Sequence, residues 1–143
     1  MNKGVEIEIL YWDVHLMQCR FSCFDRHFSG QASIYMNHDA LLKMADALSG
    51  FPSRIGDTRD FEFGTFNPDH AGGGVNMHFY CVDSVGHTAV DVKLRGDACM
   101  AMGEVESVAL RIPLEAAAVD SFISPVRKME LAVGSKAYLQ MAI

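Results

Sequence analysis

The chain has no cluster of lysine and arginine, and its 12 basic residues are outnumbered by 18 acidic ones, giving a net charge of −6. Surfaces that track nucleic-acid phosphates need concentrated positive charge, so a nucleic-acid partner is not expected. Long hydrophobic runs are also missing. The uninterrupted apolar segments are only a few residues, too short for a membrane-spanning helix. Residues Met1 to Glu6 carry neither the basic nor the apolar part of a secretion signal. The expectation is a soluble cytoplasmic protein without a membrane partner.

Familiar chemical motifs are absent as well. No H-x-x-x-H or H-E-x-x-H spacing occurs, so no metal ligand set is named. Gly72-Gly73-Gly74 has no following Lys-Ser/Thr and opens no helix, which excludes a phosphate loop, and G-x-S-x-G does not occur. No catalytic nucleophile, metal or cofactor is therefore expected. Cys19, Cys23, Cys81 and Cys99 contain no C-x-x-C pair. Cys19 and Cys23 share one strand face about 13 Å apart, too far to bridge, and free thiols are expected, with Cys99 in a loop.

What the chain does have is alternation. With 50% hydrophobic and 21% charged residues in 143 positions, it suits one folded domain over residues 1–143. Val75 to Arg95 reads as two strands around the turn Asp83-Ser84-Val85-Gly86. Setting Val82 opposite His87 pairs Val75 with Leu94, Met77 with Val92, Phe79 with Val90 and Cys81 with Thr88 on an apolar face. Asn76 then meets Lys93, and His78 meets Asp91, on a polar one. A slip of one residue would mix the two sets, so the polarity pattern fixes this register.

Val5 to Trp12 alternates in the same way and predicts a half-buried strand with Trp12 outward. Pairing Leu10 with Gln18 sets Ile9 against Cys19, Ile7 against Phe21 and Glu8 against Arg20. A tight turn at Asp25-Arg26 sets Phe28 against Cys23, Ala32 against Cys19 and Ile34 against Met17, completing a three-stranded meander. Asn37 to Gly50 changes period and predicts a helix, with Asn37 as N-cap and Gly50 in the left-handed terminal position. Phe61 to Phe66 predicts a short strand. Asn67 to Gly74 is the most flexible stretch, a solvated hairpin loop or a lid. Gly96 to Gly103 predicts a loop, then Val108, Leu110 and Ile112 the inward face of another strand. Leu114 to Val133 has helical spacing, with Pro125 marking a kink or a division into two short helices. Lys136 to Ile143 alternates as a last strand.

These elements predict an α+β two-layer sandwich: a mostly antiparallel sheet of about seven strands, with two helices on one face. The other face would show Trp12, Arg20, Phe24, Tyr35, His78, Tyr80 and Asp91, aromatics and arginine in a polar setting that suits recognition. His78 opposite Asp91 resembles an acid/base pair, but a cross-strand ion pair on an open face is the plainer reading because nothing nearby supplies a pocket. Asp69 with His70 and Asp83 with His87 are looser versions of the same pairing.

The order of three strands, a capped helix with Leu41-Leu42 and Leu48, the Gly86-His87 hairpin, a further strand and a helix containing Phe122 resembles the WapI-type bacterial immunity family. The resemblance spans Val5 to Met129. It implies a non-enzymatic, acidic binding protein that neutralises the toxic domain of a polymorphic toxin, with no catalytic residue. The expected partner is thus a protein, such a toxin domain or a second copy of the chain. The competing expectation is a small-molecule-binding domain or enzyme, with a pocket between sheet and helices and the Asn67–Gly74 loop as lid.

Overall fold

The computed structural model describes residues 2–97 and 106–143. The expected positions of Cys99 and most of the Gly96–Gly103 loop lie outside these residues. The class is α+β, but one sheet of about seven strands gives way to two antiparallel sheets of four. In chain order the elements are β1 (Gly4–Trp12), β2 (Met17–Phe24), β3 (Ser29–Met36), α1 (Ala40–Leu48), β4 (Thr58–Gly64), β5 (Gly74–Cys81), β6 (Thr88–Arg95), β7 (Ser107–Leu114), α2 (Ala116–Arg127) and β8 (Lys136–Gln140). The first sheet runs β3-β2-β1-β8 and the second β4-β5-β6-β7.

The division follows from α1. After β3 the chain leaves the first sheet through the helix and starts a new ladder at β4, so β3 and β4 are sequence neighbours that do not pair. Each sheet has one apolar face, and burying the two faces against each other removes both from water. One hydrophobic cluster accordingly holds Ile7 and Phe21 of the first sheet, Met77 and Val90 of the second, and Leu48 and Phe122 of the helices. The Phe21 and Phe63 rings stack at 5.5 Å from sheet to sheet, and Phe79 meets Phe51 and Phe61 edge-on at 5.8 and 5.9 Å. The helices do not lie together on one face of a single sheet. Helix α2 packs on β8 and α1, and α1 reaches β4, while β3 lies against β4, β5 and β6.

The β5–β6 register is the one the polarity pattern predicts, from Val75 opposite Leu94 to Cys81 opposite Thr88. The β2–β3 register differs from expectation by two residues, with Cys23 opposite Gly30 and Cys19 opposite Ile34. The cause is the turn. Asp25 Oδ1 accepts hydrogen bonds from the amides of His27 and Phe28, which widens the connection beyond two residues and leaves Phe28 66% exposed. A shift of two preserves the inward and outward faces, so the buried set is unaffected.

Helix α1 is shorter than the apolar period suggests. Asp39, not Asn37, holds the N-cap position, without a side-chain cap bond. Gly50 does take the left-handed conformation, at φ 78°. Pro125 falls in the last turn of α2, a single helix that ends at Arg127, short of Val133, with no second helix after it among the described residues. The following turn is held by the first sheet instead: Gly134 donates to the Ile9 carbonyl, and Ile9 to that of Ser135. Beyond β8, the Met141 amide donates to Lys3 and that of Ala142 to Pro113, joining the two sheets.

Candidate functional site

The expected recognition face is split. Trp12, Arg20, Phe24 and Tyr35 belong to the first sheet, and His78, Tyr80 and Asp91 to the second. Because the sheets share a core through their inner faces, the two outward faces look away from each other.

On the first sheet, a bulge after Ile9 inserts Leu10 as an extra residue, so Tyr11, not Leu10, stands opposite Gln18. Alternation is thereby reversed at the strand end. Trp12 faces the buried Met17, although its position at the sheet's end leaves it 44% exposed. Tyr11 takes the outward place assigned to Trp12 and forms a row with Gln18 and Tyr35. Its hydroxyl donates to Asp13 Oδ2 at 2.8 Å, and that hydrogen bond raises the phenol's pKa. Arg20 binds Glu8 at 3.0 Å, and Lys136 approaches the same carboxylate at 3.7 Å. Phe24 is half-buried at the far end, opposite Gly4 and Ser29. Only glycine fits at position 4, since a Cβ there would lie 2.0 Å from the Leu139 carbonyl oxygen.

On the second sheet, Asp60, His78, Asp91 and Arg111 form one cross-strand row. His78 and Asp91 are register partners as expected, yet their side chains do not pair. His78 Nδ1 meets Asp60 Oδ1 at 2.6 Å, while Asp91 Oδ1 accepts from the Tyr80 hydroxyl at 2.9 Å and Arg111 Nε at 3.1 Å. A central histidine has a neighbour on each side, and here Arg111 and Tyr80 occupy one of the two carboxylates. Tyr80 stacks on His78 with ring centroids 5.3 Å apart, and Arg111 lies over the other part of this array, 5.7 Å from the Tyr80 ring centre. Burial, then the Asp91 hydrogen bond, raises the Tyr80 pKa, and Asp91 likewise raises that of Arg111. The array is a set of mutually held side chains on an open sheet face.

The remaining expected pairs are local. His87 Nδ1 and Asp83 Oδ2 approach to 2.5 Å in the exposed β5–β6 turn, lowering the Asp83 pKa. Asp69 and His70 belong to a turn in which both amides donate to Asn67. Among the described residues no group of three or more His, Cys, Asp and Glu is placed to hold a metal ion. Cys19 and Cys23 are free and buried, with burial pushing both thiols up to about 12. No described helix is long and apolar enough to cross a membrane.

Two arginines escape sequence reasoning. Arg59 forks onto Asp57, with Nη2 to Oδ2 at 2.8 Å and Nε to Oδ1 at 3.1 Å, and its Nη1 donates to the Ala47 and Ser49 carbonyls at the end of α1. Arg59 and the Ser53 amide hold the buried Asp57 carboxyl well below the usual carboxylate range. Arg95 is only 4% exposed and donates to the carbonyls of Thr65, His70 and Gly72. It ties the Asn67–Gly74 segment to β6; the segment is the loop of the β4–β5 hairpin, exposed from Asn67 to Ala71 as expected, with Gly73 and Gly74 buried. Both arginines follow from three-dimensional neighbours that no sequence spacing announces.

Between α1, the end of α2 and the β1–β2 strands lies an apolar groove of about 260 Å³, lined by Ile9, Met17, Leu41, Leu42, Met129 and Leu131 among others. The Asn67–Gly74 segment is not part of it; that segment borders a separate groove of about 500 Å³ beside β3. Compared with known protein families, curated proteins and solved structures, the chain matches none.

Proposed function

We propose that the chain is a non-enzymatic protein-binding module that uses the outward face of the second sheet. The supporting observation is the array of Asp60, His78, Tyr80, Asp91 and Arg111, whose side chains hold one another in place before any partner arrives. Side chains already ordered lose less entropy on association, and aromatic and arginine residues supply much of the binding free energy in interfaces. A net charge of −6 favours a basic partner. With the resemblance to WapI-type immunity proteins, this makes the toxic domain of a polymorphic toxin the partner of choice.

The test is Tyr80→Glu, measured against the protein encoded by the adjacent gene and for self-association by sedimentation. Folding should change by less than about 1 kcal/mol, since Tyr80 lies on an open face, while association weakens by more than about 1–2 kcal/mol. Unfolding of the variant would mean that the outward face is covered. Unchanged association would remove the reading.

A second reading rests on the 260 Å³ groove between helices and sheet, a small-molecule site without a lid. That volume is near the lower bound of ordinary ligand pockets. Leu42→Arg would fill it and abolish uptake of a fluorescent apolar probe while leaving Tyr80-dependent association intact.

A further inference from the structure

The larger groove has a different chemistry. Its volume is about 500 Å³, and its lining includes Gln18, Ser33, Tyr35, Thr65, Gly73 and Asp97. Three of its lining residues are glycines, and at Gly64 and Gly73 the packing requires this. A Cβ on Gly73 would approach the Ser33 carbonyl oxygen to 2.9 Å, and one on Gly64, at φ 71°, would come within 2.2 Å of the Gly73 carbonyl oxygen. Arg95 fixes the same wall through the Thr65 and Gly72 carbonyls. Close backbone packing and Arg95 thus hold this wall of the groove.

Gln18, Ser33, Tyr35, Thr65 and Asp97 supply its polar groups among Ile34, Ala71 and three glycines, and no lysine, arginine or histidine is among the described lining residues. A phosphate or carboxylate ligand would find no countercharge among these described residues. Gln18 offers both donors and acceptors, Ser33, Tyr35 and Thr65 offer hydroxyls, and Asp97 accepts. The Thr65 hydroxyl already accepts from the Asn67 amide and keeps its own proton to donate. Tyr35, 58% exposed, presents a ring at the groove's edge. Tyr11, 46% exposed, stands two strands away in the same row, beyond Gln18. Two strand spacings separate the rings by roughly 10 Å, enough for successive rings of an extended ligand to be served in turn.

The geometry points to a binding site for a neutral oligosaccharide. A sugar presents hydroxyls that both donate and accept, which the amide, hydroxyls and carboxylate can match. Its C–H faces suit an aromatic platform, and its lack of charge suits a lining without cations. This site shares no residue with the Tyr80 array, so either can fail without the other.

The experiment titrates the isotope-labelled protein with cellohexaose, maltohexaose and chitohexaose, following backbone amides by NMR. At least one sugar should bind with a dissociation constant in the millimolar range or tighter, shifting Gln18, Ser33, Tyr35 and Gly73. Tyr35→Ala should weaken that binding at least about tenfold, the scale of one aromatic stack. Tyr35→Phe, which keeps the ring, should bind within about threefold of the parent protein. Tyr35 is exposed, so both variants should fold, and Tyr80→Ala should bind the sugar as the parent does. No response to any of the three sugars, shifts centred elsewhere, or undiminished binding by Tyr35→Ala would overturn the assignment.

Discussion

The two outward faces start from the same alternation of polar and apolar residues and finish differently. On the second sheet, Asp60 takes His78, and Asp91 takes both Tyr80 and Arg111, so the central row satisfies itself. On the first sheet, Glu8 gathers Arg20 and Lys136 into one ion cluster, whereas Gln18, Ser33 and Tyr35 make no side-chain hydrogen bond to another described side chain. Alternation decides which residues face outward. Which of them are already engaged depends on their cross-strand neighbours. A self-satisfied face suits a flat macromolecular partner, and a face with unused donors and acceptors suits a ligand that brings its own.

The strongest way to break this comparison is to attack what the two faces share. Phe79 is completely buried in the common core, and Phe79→Ala should lower stability by about 3–5 kcal/mol in denaturant unfolding. Both sheets should unfold in the same transition. Independent loss of one sheet would show two cores and make the faces separable units.

A smaller effect is expected at the Asp57–Arg59 fork, which ties β4 of the second sheet to the end of α1. Asp57→Asn should cost about 2–3 kcal/mol at neutral pH. Because the folded protein depresses the Asp57 pKa, its contribution is fully present above the unfolded value, about 3.9, and fades as pH falls below it toward the folded value. The gap in denaturation midpoint between parent and variant should therefore narrow below about pH 4. A constant gap from pH 7 to pH 3 would contradict an ionised Asp57 as the cause.

The smallest effects sharpen the comparison itself. Arg20→Ala on one face and Arg111→Ala on the other should each leave the denaturation midpoint nearly unchanged, as solvent-accessible ion pairs contribute little. Only Arg111→Ala should weaken the proposed protein association. Equal effects on association would remove the distinction between the faces.

The central hairpin was legible in the sequence to the residue, because polarity alternates from Val75 to Phe79 and again from Val90 to Leu94, and only one register keeps it sorted. The β2–β3 ladder was legible in its faces but not in its register, since a displacement of two leaves polarity unchanged. The bulge at Leu10 left no mark: Leu10, Tyr11 and Trp12 are all large and apolar enough to stand on either face. Nor could polarity reveal the division into two sheets, because each strand's alternation is the same whether a helix or a second sheet covers it. The candidate residues were thus identified largely as outward-facing, while their separation into two surfaces depended on how β3 connects through α1 to β4. Arg95 was missed for a related reason: its partners are backbone carbonyls of a segment more than twenty residues earlier.

The return of the chain to its own beginning has a consequence for the order of assembly. Strand β8 completes the first sheet by lying beside β1, with Gln140 opposite Gly4. During synthesis β1, β2 and β3 emerge early and can pair at once, but the edge of β1 that β8 later covers must wait until nearly everything between has been made. For that interval the nascent meander carries an open strand edge and an uncovered apolar face, the features that invite pairing with the wrong chain. Closure joins residues at the greatest sequence separation of any ladder in the fold, which places it among the slower steps of folding.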